Sequence, residues 1–213
     1  MSETKLIIFD LDGTIHDSSP GIIYCFRKTG ETYGIYDIPD EKLNDGLTGP
    51  FEINIKNVLD LRDDQVVEAI NRYVVFYKAE GQAMAQMFPG IKETIVELKK
   101  RGHLIGLATM MVEEFAKQTL HNYGIDVLFD SIKGASLDVA MTKYQVINNC
   151  IESLGVEPEE CVMVGDGSDD HLSAEKAGVR FIAAKYGYGI DDSYCSEYGV
   201  QGINEPRELL DLV

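Results

Sequence analysis

Four short apolar runs, Leu6 to Phe9, Leu104 to Ala108, Cys161 to Val164 and Arg180 to Ala184, suit strands buried in a parallel sheet. Between them lie segments with apolar residues at three- and four-residue spacing: Ile91 to Lys100, Val112 to Tyr123, Tyr144 to Leu154 and Asp170 to Ala177. Gly102, Gly124, Gly155 and Gly178 fall where these helices should stop, as glycine just past a helix end does. Strand alternates with helix, so the chain reads as an α/β fold, a Rossmann-like parallel sheet with helices on both faces.

The rhythm breaks between about Ile15 and Gln82, where helical patterns occur without a convincing buried strand. Pro20 can open a helix over roughly Ser19 to Thr32, Gly49-Pro50 marks a loop, and Asp63-Asp64 can cap a long helix running through Lys78. The expectation is an inserted helical domain over 16–83, with the α/β core formed by 1–15 and 84–213. No repeat, low-complexity tract or long linker separates further modules.

A chain of 213 residues, 45% hydrophobic and 26% charged, can bury a proper core. Its net charge of -17 argues against nucleic-acid or anionic-membrane partners, which need a basic stripe to neutralise phosphates. An acidic protein still binds a small phosphate ester if a metal ion and one or two lysines invert the field locally. The apolar stretch Leu6 to Phe9 is too short for a signal-peptide core or a membrane span, which suggests a cytoplasmic protein. The four cysteines are scattered without a C-x-x-C pair, so neither a zinc site nor a disulfide framework is indicated.

Asp10 and Asp12 stand two apart at the carboxyl end of the first apolar run, and extended geometry would point both carboxylates over one pocket. Gly13 permits a tight turn and Thr14 adds a hydroxyl and an N–H. Taken alone, a D-x-D pair is as readily a turn cap. Gly165-Asp166-Gly167-Ser168-Asp169-Asp170 follows a second buried run and reaches the same edge, so four or five carboxylates converge there. Such a cluster repels itself unless protons or a cation occupy it, and all-oxygen ligands favour magnesium. Ser168, Asp169 or Asp170 can instead cap the following helix, and Asp169 is assigned that role only. Thr109 ends the run Leu104 to Ala108 and Lys143 opens the helix beginning near Thr142. A hydroxyl and an ammonium at that edge suit a transferring phosphoryl group, although each alone is an ordinary surface feature.

Asp10-Leu11-Asp12-Gly13-Thr14, Thr109, Lys143 and Gly165-Asp166-x-x-x-Asp170 together resemble the four ordered motifs of the haloacid dehalogenase superfamily of phosphatases. Asp17-Ser18-Ser19-Pro20-Gly21-Ile22, Phe88-Pro89-Gly90 and Lys185-Tyr186-Gly187-Tyr188-Gly189 are similar to the phosphoglycolate phosphatase-like branch, whose helical cap is inserted after the first motif. The resemblance implies that Asp10 attacks phosphorus while Asp12 protonates the leaving oxygen and later activates water. It implies magnesium held by Asp10, Asp166 and the Asp12 backbone carbonyl, with Asp170 as a further ligand or the partner of one. Thr109 and Lys143 would bind phosphate, joined by Gly13, Thr14 and the Met110 backbone N–H. The dehalogenases of the superfamily lack an acid at the position of Asp12.

Two departures stand out: Met110-Met111 where relatives carry a small polar residue, and His171 where they carry an aliphatic one, read here as a packed or surface histidine. In the insertion, Thr48, Gly49 and Phe51 are candidates for contacting the leaving group, although the segment is equally an interhelix connection and Phe51 equally core. The expected partner is a small phosphorylated metabolite, phosphoglycolate-like or a nucleoside monophosphate, with monomer and dimer both open. A sugar-phosphate mutase, or a binding module that keeps the fold without turnover, are the alternatives.

Overall fold

A computed structural model of the protein describes residues 4–136 and 138–213. The chain divides into two compact units, Asp17–Gln86 and the residues up to His16 together with Met87–Val213. In the larger unit the strands are β1 (Leu6–Phe9), β4 (Leu104–Val112), β5 (Ser131–Ala135), β6 (Cys161–Gly165), β7 (Arg180–Ala184) and β8 (Gln201–Ile203). They form one sheet in the order β5-β4-β1-β6-β7-β8, every pair parallel. The two-residue strands β2 (His16–Asp17) and β3 (Gln86–Met87) pair separately where the chain leaves and re-enters this unit.

Side chains of β1 alternate between two cores, as the two-residue repeat of a strand requires. Ile7 and Phe9 pack with Ile91, Ile95 and Leu98 of α5 (Ile91–Lys100) and with Ala116 and Leu120 of α6 (Glu113–Asn122). Leu6 and Ile8 pack with Val146, Ile147 and Cys150 of α7 (Lys143–Leu154) and with Ala174 of α8 (Ser168–Lys176). The sheet is therefore covered on both faces and its central strands are wholly buried. The short α9 (Asp192–Tyr198) adds Tyr194 and Cys195 to the second core.

The smaller unit consists of α1 (Ser19–Glu31), α2 (Asp40–Asp45), α3 (Phe51–Val58) and α4 (Asp63–Ala79). Its own core is built on Phe26, Leu43, Ile55 and Tyr73, with the Phe26 and Tyr73 ring centroids 5.2 Å apart. Pro20 sits in the first turn of α1, where its missing N–H costs no hydrogen bond. A Cβ on Gly21 would lie 2.1 Å from the Gly81 carbonyl oxygen, so glycine there is what lets the return segment approach α1. Among the described residues no helix is long and apolar enough to cross a membrane. The four cysteines are free thiols, Cys25, Cys150 and Cys161 buried and Cys195 partly so.

Candidate active site

The register of the sheet brings the motifs to one edge. Phe9 is level with Leu107 of β4 and Val164 of β6, so Asp10 and Asp166 emerge just beyond the carboxyl ends of β1 and β6, beside Thr109 in the distal half of β4. The Asp10 N–H donates to the Val164 carbonyl at 2.9 Å, which keeps the residue beside β6 after β1 has ended. Asp10 continues the alternation of Leu6 and Ile8 toward the face covered by α7 and α8, and it is from those helices that its partners come.

Lys143 is the first residue of α7 and is 3% exposed. The helix start is fixed by Thr142, whose Oγ1 accepts the Gln145 backbone N–H at 3.3 Å while the Gln145 side-chain Oε1 accepts the Thr142 N–H at 2.9 Å. The Lys143 ammonium lies 2.6 Å from Asp10 Oδ1 and 2.7 Å from Asp170 Oδ1. Asp170 Oδ2 accepts the Gly167 N–H at 3.0 Å and so caps α8. That corrects the assignment of the cap to Asp169, whose Oδ1 instead lies 3.5 Å from Ser173 Oγ. The reason is position: Asp170 is the third residue of α8, from which a carboxylate reaches back over the first turn.

Asp166 accepts hydrogen bonds from Thr14 Oγ1 at 3.1 Å and from the Tyr188 N–H at 2.9 Å. It is also clamped sterically. A Cβ on Gly13 would come 2.2 Å from Asp166 Oδ2, and one on Gly187 would come 2.3 Å from Asp166 Cβ. Gly13 has in addition a left-handed φ of 75°, which glycine adopts at no steric cost. The Tyr186 hydroxyl donates to the Thr14 carbonyl at 3.0 Å and ties the clamp to the first motif.

One carboxylate oxygen from each of Asp10, Asp166 and Asp170 lies within 4.8 Å of the others. Of these three carboxylates the Lys143 ammonium meets only Asp10 and Asp170, and the imbalance appears in the acidities of Asp166 and Asp10. Burial pushes Asp166 up to about 8, with repulsion from Asp170 and Asp10 adding to it. Burial also raises Asp10, to about 7, against the pull of the Lys143 ammonium and with the help of Asp170. Burial works against the Lys143 charge, but Asp10 and Asp170 outweigh it and hold the ammonium above its ordinary value. An all-oxygen donor set with surplus buried negative charge fits a hard divalent cation, with Asp10, Asp166 and Asp170 as the residues to hold it.

Asp12, two residues after Asp10, is near enough for its charge to add to the rise of Asp10, but a turn and not an extended strand carries it there. The strand stops at Phe9, and the N–H groups of Thr14, Ile15 and His16 all converge on the Leu11 carbonyl, which closes a turn instead. Its carboxylate lies outside the acidic cluster, with Oδ1 2.8 Å from His16 Nε2, so any part of Asp12 in a metal set rests on its backbone carbonyl. The same turn engages the donors of Gly13 and Thr14 internally. The Gly13 N–H donates to the His16 carbonyl, the Thr14 N–H to the Leu11 carbonyl and the Thr14 hydroxyl to Asp166. These donors build the site.

β4 does not end at Ala108 as its apolar run suggests but continues to Val112. Pairing with β5 breaks after Ala108 and resumes at Val112, so Thr109, Met110 and Met111 bulge from the ladder at the edge that Asp10 occupies. Thr109 is buried and its Oγ1 accepts the Met111 N–H at 3.1 Å, while the Met110 side chain is exposed. His171 is packed among aromatic rings, its Nδ1 2.9 Å from the Tyr194 hydroxyl and its ring 5.2 Å from that of Phe181. Thr48, Gly49 and Phe51 belong to the smaller unit. Asn54 Nδ2 donates to the Thr48 carbonyl at 2.7 Å, Gly49 has a φ of 87°, and the Phe51 ring packs 4.6 Å from that of Tyr73.

Sequence reasoning missed His16, Tyr123, Gly187 and the Tyr188 N–H. His16 carried a signal, standing four residues after an acid across a glycine turn. Tyr123 carried none, since it meets His16 only through the fold.

A doubly wound parallel sheet with a buried acid cluster and a lysine gathered at its carboxyl edge defines an α/β enzyme of the ionic, metal-fitting kind. The family model for haloacid dehalogenase-like hydrolases matches residues 7–184, and the chain belongs to that family. It is 34% identical over 189 residues to the tyrosine-protein kinase PtkA of Mycobacterium tuberculosis, a match covering 88% of this chain and only 64% of that protein. It is 28% identical to the phosphoglycolate phosphatase of Vibrio vulnificus over 99% of this chain and 96% of that one. Among solved structures, a haloacid dehalogenase-like hydrolase of Streptococcus pneumoniae superposes with a TM-score of 0.92 at 30% identity, covering 100% of this chain and 99% of its own.

Proposed function

We propose that the chain is a magnesium-dependent phosphatase of small organic phosphomonoesters, working in the cytoplasm through an aspartyl-phosphate on Asp10. The observation that carries this reading is the contact of Lys143 with both Asp10 and Asp170 inside a carboxylate cluster at the edge of the sheet. A buried ammonium 2.6 Å from Asp10 favours its ionised, nucleophilic form and offers a positive charge to a phosphoryl oxygen. In the first half-reaction an Asp10 oxygen bonds to phosphorus, the bond from phosphorus to the ester oxygen breaks, and Asp12 delivers its proton to the departing alkoxide. In the second, Asp12 takes a proton from water, the water oxygen bonds to phosphorus, and the bond to Asp10 breaks to release inorganic phosphate. Bound magnesium would offset the negative charge that accumulates on the transferring group.

The two carboxylates are fitted to these separate tasks. Asp10 is engaged by a cation, whereas Asp12 is about one-third exposed and held by a histidine. The similarity to a tyrosine kinase brings a second reading, transfer of phosphate from ATP to a tyrosine; a third is a sugar-phosphate mutase, which would share the nucleophile and metal but return the phosphoryl group to a bound sugar. They are decided by following phosphate release from 2-phosphoglycolate, nucleoside monophosphates, sugar phosphates and p-nitrophenyl phosphate, isomer formation from the sugar phosphates, and label transfer from ATP to a tyrosine peptide, each with magnesium or with excess chelator. Free phosphate should accumulate only with metal, and Asp10→Asn and Asp12→Ala should each lose at least about a hundredfold in kcat on alkyl esters. Turnover by Asp10→Asn, full activity in chelator, accumulation of isomers, or label passing from ATP to tyrosine without hydrolysis would overturn the proposal.

A further inference from the structure

We propose that His16 is a positioning residue that fixes the carboxylate of Asp12 for proton transfer, and that Tyr123 in turn fixes His16. The inference rests on the phosphatase reading above and extends its acid-base machinery by two residues.

His16 is 1% exposed, and both of its ring nitrogens are engaged. Nε2 lies 2.8 Å from Asp12 Oδ1 and Nδ1 lies 3.0 Å from the Tyr123 hydroxyl. A neutral imidazole has one donor and one acceptor nitrogen, so it can hold a carboxylate on one side and a phenol on the other without carrying charge. The turn that ends β1 produces this contact. Three N–H groups close on the Leu11 carbonyl, and the chain comes back so that His16 is bridged to Asp12. Tyr123 follows the end of α6 and approaches from another element, with its ring edge-on to the imidazole at 5.8 Å and 87°. The imidazole is thus held from two sides, and the group it holds is the proposed acid and base.

A buried histidine with two partners can also be a matter of stability alone. The two roles separate by leaving group. An alkoxide needs a proton as it departs, whereas p-nitrophenolate does not, so a residue that orients the acid affects kcat/KM for alkyl esters selectively. The experiment compares kcat/KM for the alkyl phosphate turned over fastest in the panel above with that for p-nitrophenyl phosphate, in wild type, His16→Leu, His16→Gln, Tyr123→Phe and Asp12→Ala.

His16→Leu should lose at least about tenfold on the alkyl ester and under about threefold on the aryl ester. His16→Gln, which keeps an amide near the position of Nε2, should recover most of the loss. Tyr123→Phe should show the same selectivity at smaller amplitude. Equal losses on both esters, or none, would overturn the inference. If His16→Leu does not fold by circular dichroism, the selectivity of Tyr123→Phe decides the matter in the same way. Selective loss in Asp12→Ala without selectivity at His16 or Tyr123 removes this inference alone. Unselective loss in Asp12→Ala removes both it and the acid role on which it rests.

Discussion

Asp166 occupies a slot with glycine on each side, Gly13 of the first motif and Gly187, and the slot explains why residue 187 has no side chain. A Cβ on Gly187 would meet Asp166 Cβ and the Gly13 carbonyl, each at 2.3 Å, and neither atom is the far end of a flexible side chain. Gly187→Ala must therefore shift Asp166 or the Gly13 backbone against which it packs. Residues that orient metal-binding groups typically change affinity by about 10- to 100-fold when altered. Magnesium affinity of Gly187→Ala, measured by calorimetric titration, should fall by at least about tenfold. Unchanged affinity would show that Asp166 does not hold the ion. At this scale Asp10, Asp166, Asp170 and Lys143 were legible because each is anchored by a strand end or a helix start that the sequence marks. Asp12 was expected on an extended strand whereas a turn carries it, so its contact with His16 could not be foreseen. Gly187 lay in a segment whose resemblance was visible and whose reason was not.

The elements nearest the site are held by their caps. Lys143 enters the cluster from the first position of α7, so its placement depends on the reciprocal hydrogen bonds between Thr142 and Gln145. Thr142→Ala removes one of them and should cost about 1 kcal/mol in urea denaturation, the usual penalty for losing such a cap. Fraying of the first turn should act more strongly on the site, raising KM for the phosphate ester beyond what the stability loss alone explains. A KM unchanged alongside the lost stability would mean that the ion pairs with Asp10 and Asp170 hold Lys143 without the cap. Elements whose two faces are covered announced themselves: β1, β6 and β7 are apolar runs, and α5 spans the residues its periodicity predicts. β5 did not, because Ser131–Ala135 is an edge strand with one paired side, and its Ser, Lys and Gly break the apolar pattern. β8 is the opposite edge, only three residues long. In the smaller unit, α2 and α3 are too short for periodicity to mark them, whereas the longer α1 and α4 were readable.

At the scale of the whole molecule the acid cluster links folding to pH and to metal. In the metal-free protein burial raises Asp166 to about 8 and Asp10 to about 7, from an ordinary value of 3.8 that the unfolded chain retains. Between those limits the folded state binds more protons than the unfolded one, so the contribution of these groups to stability is complete below their unfolded value and is lost as pH rises through about 7 to 8. A net charge of -17 means that no general surplus of cations softens this loss. A divalent cation binds the deprotonated carboxylates, so its stabilising effect, which follows the ratio of free metal to dissociation constant, must grow as protons leave. The urea midpoint in chelator should therefore be lower at about pH 8.5 than at about pH 6.5, and the increase on adding magnesium should be larger at the higher pH. Asp166→Asn, which removes the most strongly raised group, should flatten both trends. A magnesium increment that is equal at the two pH values, or one that survives intact in Asp166→Asn, would mean that proton and metal do not compete for this cluster. The ion would then have to be sought at other oxygens than those that Asp10, Asp166 and Asp170 bring together.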